Sequence, residues 1–153
     1  MNDMGRNLAK EAIRILSEKI PVVENARLSV ARRDIRLPVD AERRREYKYR
    51  KELFGDFYRC EMGAVAMGPI AFVAVPGEIL CEPGLQIKCN SPFAQTWILY
   101  NCNSYSSYIA HRRAYTEGGY EGNKGQCLAP EACQLVLKSA EELLAEVSAG
   151  QEN

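Results

Sequence analysis

The spacing of apolar residues changes rhythm along this chain, and each change marks an element. Leu8, Ala12, Ile15, Leu16 and Ile20 recur at helical spacing. They predict a helix over residues 4–19 with one buried stripe. Asp3 can cap it, and Pro21 ends it. Residues 26–39 read as strand, with Leu28 and Val30 on one face and Ile35, Leu37 and Val39 sharing a face further on. The parity slips across residues 31–34, which predicts a bulge or bend. Residues 40–53 are charged and suit a surface helix, with Tyr47 and Leu53 inward and Gly55 as its stop. Residues 62–67 return to strand, and Gly68-Pro69 turns the chain back as an antiparallel hairpin.

The second half is organised around residues 70–75, the unbroken apolar run IAFVAV. Such a run suits a strand buried on both faces. It stops at Pro76-Gly77, and the next residue is Glu78. A core strand that ends in a tight turn and then presents an acid is a good mount for chemistry, because the strand fixes the backbone and the turn aims the side chain. Residues 79–89 predict a helix if Pro83 lies in its first turn. Residues 96–101 are the next core strand, 104–108 a short strand or an irregular active-site loop, and 111–117 a helical turn. Glycines at 118–119 and 122–125 mark loops. Pro130 opens a last helix with the stripe Ala132, Leu135, Val136, Leu143 and Leu144, and the tail after Ala149 is expected to fray. Strands and helices that do not strictly alternate point to a single α+β domain, a mostly antiparallel or mixed sheet flanked by helices.

Composition narrows the classes. The 153 residues carry 20 Lys plus Arg and 20 Asp plus Glu, so the formal net charge is zero. A nucleic-acid binder would be clearly basic. The basic clusters at 32–33 and 43–51 are interspersed with acids and read as solvated faces. No apolar run is long enough to span a bilayer, and residues 1–10 do not resemble a signal peptide. The chain as given is therefore expected to be soluble and cytoplasmic. An upstream signal on the intact protein would place it outside the cell or in the periplasm. The six cysteines form no CxxC pair, which gives no sign of a structural zinc site. Cys81, Cys89 and Cys133 fall in helical patterns as small core residues, and all six are expected to be free thiols.

The residues alone leave the chemistry open. Glu78 at a strand end is either a metal ligand or general base, or a solvated turn carboxylate. Tyr105, Tyr108, Tyr115 and Tyr120 form a cluster of the kind that usually packs amphipathically, with each hydroxyl reaching a partner. Tyr105 and Tyr108 are three apart, so on an extended segment they point to opposite faces and at most one faces Glu78. His111 is the only histidine, set beside arginines, and reads as a surface residue rather than a ligand.

The order Pro76-Gly77-Glu78, then Asn103-Ser104-Tyr105-Ser106-Ser107-Tyr108-Ile109, then Tyr115, then Tyr120-Glu121 resembles the C-terminal portion of the catalytic domain of the neutral/alkaline (non-lysosomal) ceramidase family. Met4-Gly5 followed by LAKEAIRIL, and the closing proline-led helix, fit the same layout, so the resemblance covers nearly the whole chain. It implies a zinc ion that activates water to cleave the amide of an N-acyl sphingoid base, held by two histidines, one glutamate and one tyrosine. The matching positions here are Glu78 and Tyr108 as metal ligands. Tyr120 matches a hydrogen-bond donor to the substrate carbonyl. Zinc lowers the pKa of bound water and polarises a carbonyl, and its charge stabilises a deprotonated phenol.

Both histidines of that family lie in an N-terminal portion outside these residues, and His111 falls inside the motif, where it cannot replace them. The expectation is a chain inactive by itself: a fragment, a split half or a truncated pseudoenzyme. Its expected partner is the missing N-terminal half or a histidine-bearing chain. The alternative is a non-catalytic binding or assembly domain. In either case loss of a covering half exposes an apolar face around residues 70–75, and a homo-oligomer is expected.

Overall fold

A computed structural model describes residues 2–18, 23–40, 55–123 and 126–152. Strand β1 (Leu28–Pro38) lies antiparallel to β2 (Phe57–Met67) in unbroken register, from Leu28 opposite Met67 to Pro38 opposite Phe57. Gly68-Pro69 closes the hairpin into β3 (Ile70–Ala74), with Met67 opposite Ile70. The chain then passes through a two-residue strand, β4 (Glu78–Ile79), and helix α2 (Cys81–Cys89), and returns as β5 (Gln95–Leu99). Strand β5 joins β3 in parallel, so the sheet is mixed, in the order β1-β2-β3-β5. A second, two-stranded sheet pairs β4 with β6 (Tyr108–Ile109), also parallel. Among the described residues, one helical turn, α3 (Ala114–Glu117), and a long helix, α4 (Ala132–Glu152), follow, and α1 (Asn2–Ser17) precedes β1. The α+β expectation holds.

Helix α4 crosses β1 and β2 and reaches β3. Its buried residues Cys133, Val136, Leu137, Ala140, Leu143, Leu144 and Val147 follow the 3.6-residue period and form one apolar cluster with the sheet. Alanines at 31, 64, 66 and 71 line that sheet face and keep it low, so the helix can approach closely. Leu37, Met62 and Val73, each without solvent exposure, fill the remaining volume. Burying a side chain of that size contributes about 1.5–3 kcal/mol.

Several pattern-based expectations fail for identifiable reasons. Strand β1 has no bulge: its register is continuous, and Leu28 and Val30 simply lie on the face opposite to Ile35 and Leu37. Apolar residues on both faces imitate a parity slip. The run at 70–75 is buried on the α4 side only, at Ala71, Val73 and Val75, while Ile70, Phe72 and Ala74 are half-buried on the other. The stripe of α1 is exposed, with Leu8 at 72% and Leu16 at 74%, because no described element packs on it. Asp3 sits inside the first turn of α1, not at its cap. Leu135 is exposed, since α4 turns Leu137 and Ala140 inward instead. The helix continues through residues 150–152, where fraying was expected. The surface helix expected over 40–53, with Tyr47 and Leu53, lies outside the described residues apart from Asp40. Pro83 does fall in the first turn of α2, where its missing N–H costs nothing.

The six thiols are all free. Cys133 is buried as expected, but Cys81 and Cys89 are exposed, and Cys60 and Cys127 take the core positions. Burial, with Asp34 adding to it, pushes the Cys60 thiol up to about 12, and burial alone pushes Cys133 up to about 11, from an ordinary 9.0. Folding thus favours the neutral thiols. In the unfolded chain they ionise near pH 9, so their contribution to stability is complete below that pH and is lost as pH rises towards 11–12. A Cys60→Ala, Cys133→Ala variant is therefore expected to lose less stability between pH 9 and 11 than the parent, read from urea midpoints. Equal pH slopes in the two proteins would contradict the assignment.

Candidate functional site

The end of β3 is tied on both sides. The Val75 N–H donates to Leu99 O (2.9 Å), and the Cys102 N–H donates back to Val75 O (3.0 Å). Beyond it, the Asn101 N–H donates to Gly77 O (3.2 Å) and the Ser106 N–H to Pro76 O (2.6 Å). The Glu78 N–H donates to Ser107 O (2.9 Å) and the Leu80 N–H to Ile109 O (3.1 Å). The Pro76-Gly77-Glu78 turn is thus pressed against residues 101–109 by its own backbone. A Cβ at Gly77 would lie 2.4 Å from Ser107 O and 2.6 Å from Ser106 Oγ, so only glycine permits this approach. Ser106 is fully buried beneath the turn, and its hydroxyl has no hydrogen-bond partner among the described residues.

The lacing places Glu78 directly opposite Tyr108 on neighbouring parallel strands. Register partners present their side chains to the same face, so the carboxyl and the phenol share one side of the small sheet. Tyr120 joins them: its ring meets that of Tyr108 edge to face, with centroids 5.9 Å apart and planes at 85°. Tyr108 and Glu78 are half-buried, and Tyr120 is exposed. The Tyr108 phenol is pushed up from its ordinary value, first by desolvation and then by Glu78, Tyr120, Glu121 and Tyr105. Each of those four groups opposes its ionisation, and a cation placed among them would act the other way.

The structure therefore brings Glu78, Tyr108 and Tyr120 together. It also adds two neighbours whose effect on Tyr108 sequence reasoning missed. Glu121 stands in the Tyr120-Glu121 pair, which was the available signal. Strand parity allows at most one of Tyr105 and Tyr108 to face Glu78, but Ser107 between them is left-handed at φ 80°, so the segment is not a regular strand and that parity does not apply. Positions 104–107 are irregular, and the strand begins only at Tyr108. Left-handed Asn101 and Asn103 suit such a segment, because short amide side chains tolerate that conformation.

Two other residues belong elsewhere. Tyr115 donates its hydroxyl to Leu128 O at 2.9 Å, a packing role. His111 accepts from the Ala114 N–H on Nδ1 (3.1 Å), which leaves Nε2 to face Glu82 Oε2 at 2.8 Å. It anchors α3 to the start of α2. Among the described residues no group of three or more His, Cys, Asp or Glu could hold a metal, and no helix is long and apolar enough to cross a membrane.

No family model matches this chain, and neither does any curated protein. Solved structures similar to this chain include two ceramidases. One is a ceramidase complexed with C2, at 15% identity and TM-score 0.55, over 60% of this chain and 15% of that one. The other is a neutral ceramidase from Pseudomonas aeruginosa, at 19% identity and TM-score 0.49, over 58% of this chain and 16% of that one. The match spans less than a fifth of either ceramidase. Over about 60% of its length, then, the chain has a ceramidase-like fold.

Proposed function

We propose that the chain is a segment of a ceramidase-like zinc amidohydrolase, in which Glu78 and Tyr108 are two of the metal ligands and Tyr120 donates a hydrogen bond to the substrate carbonyl. The observation that carries this reading is the register pairing of Glu78 with Tyr108 beside Tyr120, in surroundings that only oppose ionisation of the Tyr108 phenol. A bound cation would reverse that balance. The amide of an N-acyl sphingoid base, or a related amide, is the substrate class that the ceramidase-like fold suggests.

The described residues do not fit a zinc ion by themselves. A catalytic site takes three protein ligands and a water, whereas Glu78 and Tyr108 supply two oxygen donors. No step of a reaction is therefore assigned to this chain alone. The missing ligands would come from a histidine-bearing N-terminal segment or partner chain. The test is reconstitution with such a segment, measuring zinc content and cleavage of an N-acyl sphingoid amide. Glu78→Gln and Tyr108→Phe are each expected to reduce zinc retention by a factor of ten or more, with Tyr120→Phe lowering turnover on the order of 100-fold at unchanged zinc content. A mixture that takes up no zinc and cleaves no amide ends the reading.

A second reading, a non-catalytic assembly domain, is favoured by the sheet face away from α4. Leu28, Val30, Trp97 and Leu99 are exposed there, beside a groove of about 240 Å³ lined by Val65 and Phe72. Apolar surface of this extent drives association, so the chain alone is expected to be a homo-oligomer. A strictly monomeric species in light scattering at micromolar concentration would count against it.

A further inference from the structure

We infer that Gln126 is the positioning residue that sets the two phenols of the site, Tyr108 and Tyr120, relative to each other. The inference rests on the hydrolase reading for the use of those phenols, but not for their geometry. Gln126 has no solvent exposure. A buried carboxamide is costly unless both its ends are paired, and here they are. Nε2 donates to Tyr108 O at 2.8 Å, while Oε1 accepts from the Cys127 N–H and the Leu128 N–H, each at 2.9 Å. The two N–H donors at one end and the carbonyl at the other fix which end is oxygen.

Topology gives these bonds their consequence. The segment that carries Tyr120 leaves the small sheet after Ile109, one residue beyond Tyr108, and returns at Gln126. One side chain therefore pins both of its ends. The Cys127 Sγ adds a weaker tie to Ser106 O at 3.4 Å, next to the turn that carries Glu78. The returning segment is itself anchored by a bridge between Leu128 and Val39: the Asp40 N–H donates to Cys127 O and the Ala129 N–H to Pro38 O, at 2.9 Å each. Removing the Gln126 amide would take from Tyr108 O and from the Cys127 and Leu128 N–H groups the bonds they make to it, and would leave the Tyr115 hydroxyl on Leu128 O as a remaining side-chain tie between the Tyr120 segment and the returning residues. The edge-to-face contact joins a half-buried ring, Tyr108, to an exposed one, Tyr120, so little else holds Tyr120 in place and the backbone between them sets its position.

The experiment is NMR on the full chain, free of metal. In the parent protein a Gln126 side-chain amide proton is expected to exchange slowly with deuterated water, and the Tyr108 and Tyr120 rings to show mutual NOEs. Gln126→Leu keeps the volume and removes the bonds. It should abolish the inter-ring NOEs and speed Leu128 N–H exchange about tenfold or more, with sheet amides in β2 and β3 unchanged. Gln126→Glu keeps the acceptor and loses the donor at neutral pH, so it should disturb Tyr108 more than Leu128. Inter-ring NOEs that persist in Gln126→Leu would overturn the proposal. Should that variant not fold, a Gln126 side-chain amide that exchanges at the solvent rate in the parent would overturn it equally. Zinc uptake is not read, so failure of the hydrolase reading and failure of this one are separate results.

Discussion

Gly77→Ala is expected to destabilise the chain by about 2–3 kcal/mol and to pull Glu78 out of register with Tyr108. The added Cβ would meet Ser107 O at 2.4 Å, well inside van der Waals contact. That oxygen cannot retreat freely, because it accepts the Glu78 N–H at 2.9 Å. The Ser106 hydroxyl, at 2.6 Å from the same point, is buried and has little room to turn. Relief must come from separating the turn from residues 106–107, which are the contacts that align the two side chains. Gly84→Ala is the control. Its Cβ would find only Ile79 Cγ2 at 4.0 Å, in helix α2, so alanine should be neutral or stabilising by up to about 1 kcal/mol. Urea unfolding of the two variants reads the difference. A Gly77→Ala protein as stable as the parent would show that the close approach does not exist.

Leu143→Ala is expected to cost about 3 kcal/mol, within the range for a fully enclosed leucine that leaves a cavity. Leu143 has no exposure and sits in α4 against the sheet. Leu135→Ala, eight residues earlier on the same helix, should cost well under 1 kcal/mol, because Leu135 is 41% exposed. The pair separates the observed burial from the pattern of the sequence, which places both leucines in one stripe. Equal losses would favour the stripe.

That contrast shows how much of the fold was legible. Element types followed from periodicity: the hairpin at Gly68-Pro69, the Pro83-bearing helix and the proline-led last helix all stand where the pattern puts them. Which face of an element is covered did not follow. An apolar stripe records that a residue tolerates burial, and Leu8, Leu16 and Leu135 tolerate it while remaining exposed. Strand β1 misled in the same way, since apolar residues on both faces look like a change of face. Cys81 and Cys89 sit in the helical run yet face solvent, because α2 turns Pro83, Gly84 and Ile87 inward.

The site divides along the same line. The sequence by itself determined that Glu78 ends a core strand at a proline–glycine turn, and that several tyrosines follow within about forty residues. Those are local facts, set by backbone preference and apolar runs. Only the tertiary structure decided that Glu78 and Tyr108 are neighbours. Their adjacency depends on hydrogen bonds between segments thirty residues apart, on a left-handed Ser107 and on the absence of a side chain at Gly77. The burial of Gln126 was invisible for the same reason. A glutamine in a polar loop looks solvated until the fold supplies a carbonyl for one end of its amide and two N–H groups for the other.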